Sequence, residues 1–523
     1  MKAILFTILL VAVVALAVRA QNPNGFPVHT SVAGGTIEGD YDNRTGIQTY
    51  LGIPFAQPPV GDLRWQAPQP VLPWTGIKKT KAFGPRAIQR FMWPDMLFRS
   101  AGVSEDCLYL NVWTPAKYGQ SGLPVLVYFY GGGHVAGDGS EYRYDGESMS
   151  KEGIVVVTIN YRLNIFGYFA HPELSAEAPY KASGNYGALD QAASLKWVHD
   201  YIESFGGDPN RVTIAGESAG SMSTSLQMAS PLSRKYIAGA IGESGALIHP
   251  TGTPVPLAEA EQNGADLVKK LGYSFAEFRH LPTSALFEVF NEHNPPLPIN
   301  LDGYLLPKTL PEIFAAGEQA QVPLLLGWNS GELPAGAFAR PPFTREAFDA
   351  SIAGRFPDHP EKLAELYGGS EGQALEQSIS DFGSDNWIVF STWKWFDLHR
   401  KNSDQPVYRY LYSKLRPAND KGEVPPLIGA PHACEIEYAM GNLHLVKGWQ
   451  WTENDHKVSA TMKGFFANFI KTGNPNGTDL PQWSSAKADD ASPPVMIIDV
   501  ESKEAPAAND ARYRFLDQLY HQK

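Results

Sequence analysis

A chain of 523 residues with 43% hydrophobic and 19% charged side chains is long enough to bury a large core, and its make-up excludes a disordered or fibrous protein. Its formal charge of −12 argues against a nucleic-acid partner, which needs a basic face. Two cysteines allow at most one disulfide, so the fold must rest on its core.

Along the chain, Lys2 precedes an apolar run from Ala3 to Val18, followed by Arg19-Ala20-Gln21. A basic start, a short greasy centre and a small residue at the end read as a secretory signal peptide over residues 1–20. The run is shorter than the roughly 20 apolar residues of a membrane span. No second long apolar stretch follows, so the mature chain is expected to start near Gln21, to be secreted or periplasmic, and to lack a membrane span. Residues 21–523 read as one catalytic domain, because no Pro/Gly/Ser linker divides them.

Leu123–Tyr130, Gly153–Asn160 and Arg211–Ala215 are apolar on both faces, as buried parallel strands must be. Between the last two, Ala192, Leu195, Val198 and Ile202 recur at helical spacing and predict a helix over Ala188–Phe205. With a further helix from Ser218 on, this is the βαβ pattern of a doubly wound sheet. Later strands are expected at Val322–Leu326, Val407–Tyr412 and Val495–Val500. Segments 255–320 and 335–400 read as helices and loops that cover the sheet and wall a pocket.

Two glycine-bearing motifs carry chemistry. Gly216-Glu217-Ser218-Ala219-Gly220 directly follows the third strand and opens the helix, where a nucleophile elbow sits. Glycines two before and two after the serine let strand and helix approach while the turn lifts its Oγ clear of the sheet. Gly131-Gly132-Gly133-His134 follows the first strand. A side chain there would keep a substrate carbonyl from the backbone amides, so Gly132 and Gly133, with the amide of Ala219, form a candidate oxyanion hole. The Gly-Lys-Ser/Thr ending of a phosphate cradle is absent from the run.

These motifs, with Leu51–Gly61, Glu105-Asp-Cys-Leu-Tyr-Leu-Asn111 and Thr472-Gly-Asn-Pro-Asn476, make the chain resemble the type-B carboxylesterase/lipase family from about Val32 to Phe515. The resemblance implies an α/β-hydrolase fold: a large, mostly parallel twisted sheet with helices on both faces and helical insertions over the active site. It also implies a cofactor-free serine esterase, with no metal, acting on a small-molecule ester. Glu332, after Val322–Leu326, takes the place of the acid, and His432, in His432-Ala-Cys-Glu-Ile436, that of the base for Ser218. A histidine base should give an acid limb near 6.5, where imidazole titrates. Ser244, Asp385 and Glu217 match residues that support the triad through hydrogen bonds, while Arg64 with Glu105 and Arg162 with Asp190 match internal ion pairs. The chain departs from the family pattern in several places. Glu332 lies between Gly331 and Leu333 rather than Asp and Gly, and His134 stands where an aromatic is common, with packing the favoured role. Ala87 replaces the disulfide partner of Cys107, so two free thiols are expected. Leu97 replaces the choline-binding tryptophan, which argues against a cholinesterase. A catalytically silent binding protein of the same fold is the alternative, as is an acyltransferase or amidase on the same triad.

Overall fold

The computed structural model describes residues 26–117 and 119–521, and the expected signal peptide over residues 1–20 lies outside them. Among the described residues, thirteen strands form one sheet. Eight of them position the site: β1 (Tyr109–Thr114), β2 (Leu123–Phe129), β3 (Val155–Ile159), β4 (Gly207–Glu217), β5 (Gly239–Glu243), β6 (Leu324–Asn329), β7 (Val407–Tyr412) and β8 (Pro494–Ile498). Their order is β1-β3-β2-β4-β5-β6-β7-β8. From β3 to β8 every neighbouring pair is parallel. β1 runs antiparallel to β3, and the N-terminal strands Phe26–Val32, Gly35–Asp42 and Ile47–Pro54 extend that antiparallel edge.

Residue choice explains the parallel centre. β3 (Val-Val-Val-Thr-Ile) and β6 (Leu-Leu-Leu-Gly-Trp-Asn) are buried along their whole length, as strands covered on both faces must be. Helix α1 (Tyr186–Tyr201) links β3 to β4, and α2 (Ala219–Ala229) links β4 to β5. The expected helix over Ala188–Phe205 is thus α1 plus one tighter turn at Ile202–Phe205, ended by Gly206 in the left-handed region at φ 82°.

Two departures from expectation have local causes. β6 starts two residues later than predicted, because Pro323 has no N–H to give the ladder. It then runs on to Asn329, since Gly327, Trp328 and Asn329 keep pairing with Tyr410, Leu411 and Tyr412. Segment 255–320 also holds a two-stranded parallel ribbon, Val255–Pro256 with Asn300–Leu301, too short to leave an alternation in the sequence.

Both expected ion pairs form, buried and two-pronged. Arg162 Nε and Nη2 donate to Asp190 at 2.8 and 2.7 Å, and Arg64 Nε and Nη2 to Glu105 at 2.8 and 2.5 Å. Such a pair is costly to break from one side, about 3–5 kcal/mol, because the partner is left buried and charged.

Cys107 lies just before β1 and Cys434 beside His432; both are free and buried. Burial pushes both thiols well above their ordinary range. A thiol titration should therefore find none reactive in the native protein and two after unfolding; finding none after unfolding would mean the two are bridged.

Candidate active site

The site forms at the C-terminal ends of the parallel strands. β4 ends at Glu217, and Ser218 turns the chain into α2 with φ 58° and ψ −121°, a conformation rarely tolerated outside glycine. The flanking glycines are required by contact. A Cβ on Gly220 would lie 2.0 Å from the Phe129 carbonyl oxygen, and one on Gly216 2.5 Å from the Gly220 carbonyl carbon. The Ser218 amide donates to the Glu243 carbonyl of β5 at 2.9 Å, fixing the turn from its other side.

Opposite the serine, the loop after β2 carries Gly132 and Gly133 at φ 106° and 61°. They line one cavity of about 480 Å³ together with Ser218, Ala219 and His432. His134 faces the same cavity, bonds Ser223 Oγ through Nε2 at 3.2 Å and packs on Tyr168, so it both lines and packs. Burial lowers its imidazole to about 4, which keeps it neutral.

His432 Nδ1 lies 2.6 Å from Glu332 Oε2. The other oxygen of Glu332 accepts from the Ser244 hydroxyl and, at 2.6 Å, from the Asn329 amide. Asn329 is where the longer β6 ends, and its side chain donates to Glu435 Oε2 at 2.5 Å. The altered neighbours of Glu332 are accommodated: Gly331 abuts Gly429, where an added Cβ would lie only 2.9 Å from the Gly429 backbone, and the Leu333 amide donates to Ser384 Oγ at 2.9 Å. On the other edge of the ring, Glu217 Oε1 approaches Nε2 to 3.1 Å. Burial disfavours the charged imidazole, but Glu217 and Glu332 outweigh it and raise its proton affinity above the ordinary histidine range. Burial likewise raises Glu217, against the pull of His432. The acid limb therefore belongs to this assembly of groups rather than to an isolated imidazole.

The carboxylesterase family matches this chain over residues 26–516. The chain belongs to that family. The carboxylesterase is 36% identical to the fumonisin B1 esterase of Sphingopyxis macrogoltabida, over 92% of this chain and 88% of that protein. It is 33% identical to a medium-chain fatty acyl-CoA hydrolase precursor of Anas platyrhynchos, over 98% of this chain and 95% of that protein. Among solved structures it resembles a PNB esterase with a TM-score of 0.78 and 28% identity, over 93% of this chain and 98% of that one. The fold is that of the α/β-hydrolases, and the protein is an ester hydrolase acting on small-molecule esters.

The structure separates one expected residue from the site. Asp385 accepts from Tyr367 Oη at 2.8 Å and faces Arg512 Nε at 3.3 Å, so it ties the segment after helix α3 (Gly372–Ser384) to the C-terminal helix α4 (Asp510–His521). The reason is the single wide helical turn Asp385–Val389, which aims Asp385 inward toward α4 and leaves Trp387 half-exposed at the cavity. The carboxylesterase also uses wall residues that sequence reasoning missed. Trp93 and Met96 come from the segment before Cys107 and Thr251 from the loop after β5, whereas walls were expected from 255–320 and 335–400. From those segments only Trp387 and Ile388 reach this cavity, with the Trp387 ring 4.8 Å from the His432 ring at 61°. Phe290, Pro295 and Leu297–Ile299 instead wall an adjoining hollow of about 360 Å³ that shares Gly133, His134 and Met222 with the first. Phe348, Trp393 and Trp395 are core.

Glu332→Gln should cut kcat about 10³–10⁴-fold with little change in KM, by the logic of a triad acid that sets the imidazole tautomer. Asp385→Asn should lower the unfolding free energy by at most about 3–5 kcal/mol, the cost of a broken buried pair, and spare kcat. Paired kinetics and thermal melts check both; the reverse pattern would move the acid role to Asp385.

Proposed function

We propose that the protein cleaves carboxylic esters through an acyl-enzyme on Ser218, with His432 as base and Glu332 as its orienting acid. The observation that carries this reading is the convergence of Ser218, His432, Gly132, Gly133 and Ala219 on one cavity. His432 Nε2 takes the Ser218 proton as Oγ attacks the ester carbonyl, while Glu332 holds the Nδ1 proton and balances the charge formed. The amides of Gly132, Gly133 and Ala219 receive the oxyanion, and each such donor is worth about 2.7–4 kcal/mol in the transition state. The imidazolium then protonates the leaving alkoxide. A water deprotonated by His432 attacks the acyl-enzyme, and collapse frees the acid and restores Ser218.

The presence of all three triad residues and both glycines favours this over a silent binding protein. Water as the second nucleophile, rather than another alcohol or an amine, agrees with the hydrolase and esterase names of the relatives. Export of the mature chain belongs to the same proposal and rests on the Lys2–Gln21 pattern.

Ser218→Ala should fold normally and lose p-nitrophenyl ester turnover by roughly 10⁶-fold, the scale seen when a serine hydrolase loses its nucleophile. An organophosphate should label Ser218 alone in the wild type. Label elsewhere, or near-normal turnover in the variant, would overturn the assignment.

A further inference from the structure

Behind His432 the sheet buries more acid than the triad needs. Glu217 ends β4 and Glu243 ends β5, and the parallel register places them directly opposite each other. Their side chains therefore stand side by side on one face, a strand spacing of about 4.8 Å apart at the backbone. Both are essentially inaccessible to solvent, as is Glu435. Each has an oxygen that no donor among the described residues reaches: Glu217 Oε1, Glu243 Oε2 and Glu435 Oε1. Glu217 Oε1 is 3.1 Å from His432 Nε2 but lies off its N–H axis. The remaining contacts are unequal. Glu435 accepts from Asn329, and Glu243 accepts at Oε1 from Tyr128 Oη at 2.9 Å.

Two like charges side by side in a dry site are not tolerated; one carboxyl keeps its proton and donates it to the other. Glu217 faces His432, Arg143, Glu332 and Glu435, so it has cationic neighbours to support a charge. Glu243 faces Glu435, Glu217 and the neutral phenols of Tyr128 and Tyr410, and no cation among the described residues. Tyr144, also neutral, completes the surroundings of Glu217.

We propose that Glu217 and Glu243 form a buried pair sharing one proton, which resides on Glu243 and is donated to Glu217, so that Glu217 holds its negative charge against Nε2 of His432. Glu243 is then a positioning residue: it never meets substrate but keeps a second carboxylate charged beside the base. The charge balances without any transfer, since the proton stays on Glu243 and its O–H supplies the donor that Glu217 Oε1 lacks. The consequence for the reaction rests on His432 being the base proposed above. The location of the proton does not, so the two can fail separately.

Infrared spectroscopy of the full-length protein tests the proton directly. The wild type at pH 8 should show the C=O stretch of a buried carboxylic acid, and Glu243→Gln should lose it. Absence of the band in the wild type, or its loss in Glu435→Gln instead, would overturn the proposal, and the first of these outcomes requires no variant to fold. The pH profile of kcat/KM tests the consequence. Glu217→Gln removes a negative charge beside the imidazole and lowers its proton affinity, so the acid limb should move down by about 1–3 pH units. Glu243→Gln replaces one neutral donor with another, so its acid limb should stay at the wild-type position. A limb unmoved by Glu217→Gln, or moved as far by Glu243→Gln, would overturn the pairing.

Discussion

The chemistry at the edge of this sheet depends on one close approach, that of the first turn of α2 to the end of β2. Gly220 lies so near the Phe129 carbonyl that a single methyl group could not be placed between them. The approach leaves Ser218 in a backbone conformation that costs of order 1–3 kcal/mol, held by the packing of α2 on β4 and β5 and by the Glu243 carbonyl. The parallel pairing of Phe129 with Gly216 sets the loop after β2 level with the serine. Nucleophile and glycine run are therefore registered by the sheet ladder, not by flexible loops.

A second constraint is electrostatic. His432 stands between Glu332 on Nδ1 and Glu217 near Nε2, in a site whose burial opposes every charge in it. Two carboxylates around one imidazole stabilise the imidazolium that forms as serine gives up its proton, yet they also make the resting ring harder to keep neutral. The extension of β6 to Asn329 links these effects to the fold, since that residue donates through its backbone to Glu332 and through its side chain to Glu435. A shorter strand, as the Val322–Leu326 pattern suggests, would leave both acids short of a donor.

How much of this is legible in the sequence follows the range of the interactions. The buried strands and α1 are written in local apolar patterns, and the elbow is written in glycines that a tight contact demands. Glu332 and His432 carry no such signal; they are readable through family resemblance because strands far apart in sequence bring them together. Asp385 illustrates the limit. Its surroundings depend on a wide turn that aims it at Arg512, and nothing local in Ser384-Asp385-Asn386 announces that turn. Trp93 and Trp387 are likewise silent in sequence, because an aromatic wall and an aromatic core residue look alike until the loops are placed. The Glu217–Glu243 pairing becomes visible only with the register of β4 against β5, two acids that read separately as the flanks of Ser218 and Ser244.

The central claim is that Ser218 forms a covalent acyl intermediate whose carbonyl oxygen is held by three backbone amides. A crystal structure of the protein trapped with a slowly deacylating ester tests this most directly. The account predicts continuous density from Ser218 Oγ to the acyl carbon, with its oxygen about 2.7–3.1 Å from the amides of Gly132, Gly133 and Ala219. An acyl group on another residue, or one on Ser218 whose oxygen points away from those amides, would contradict it.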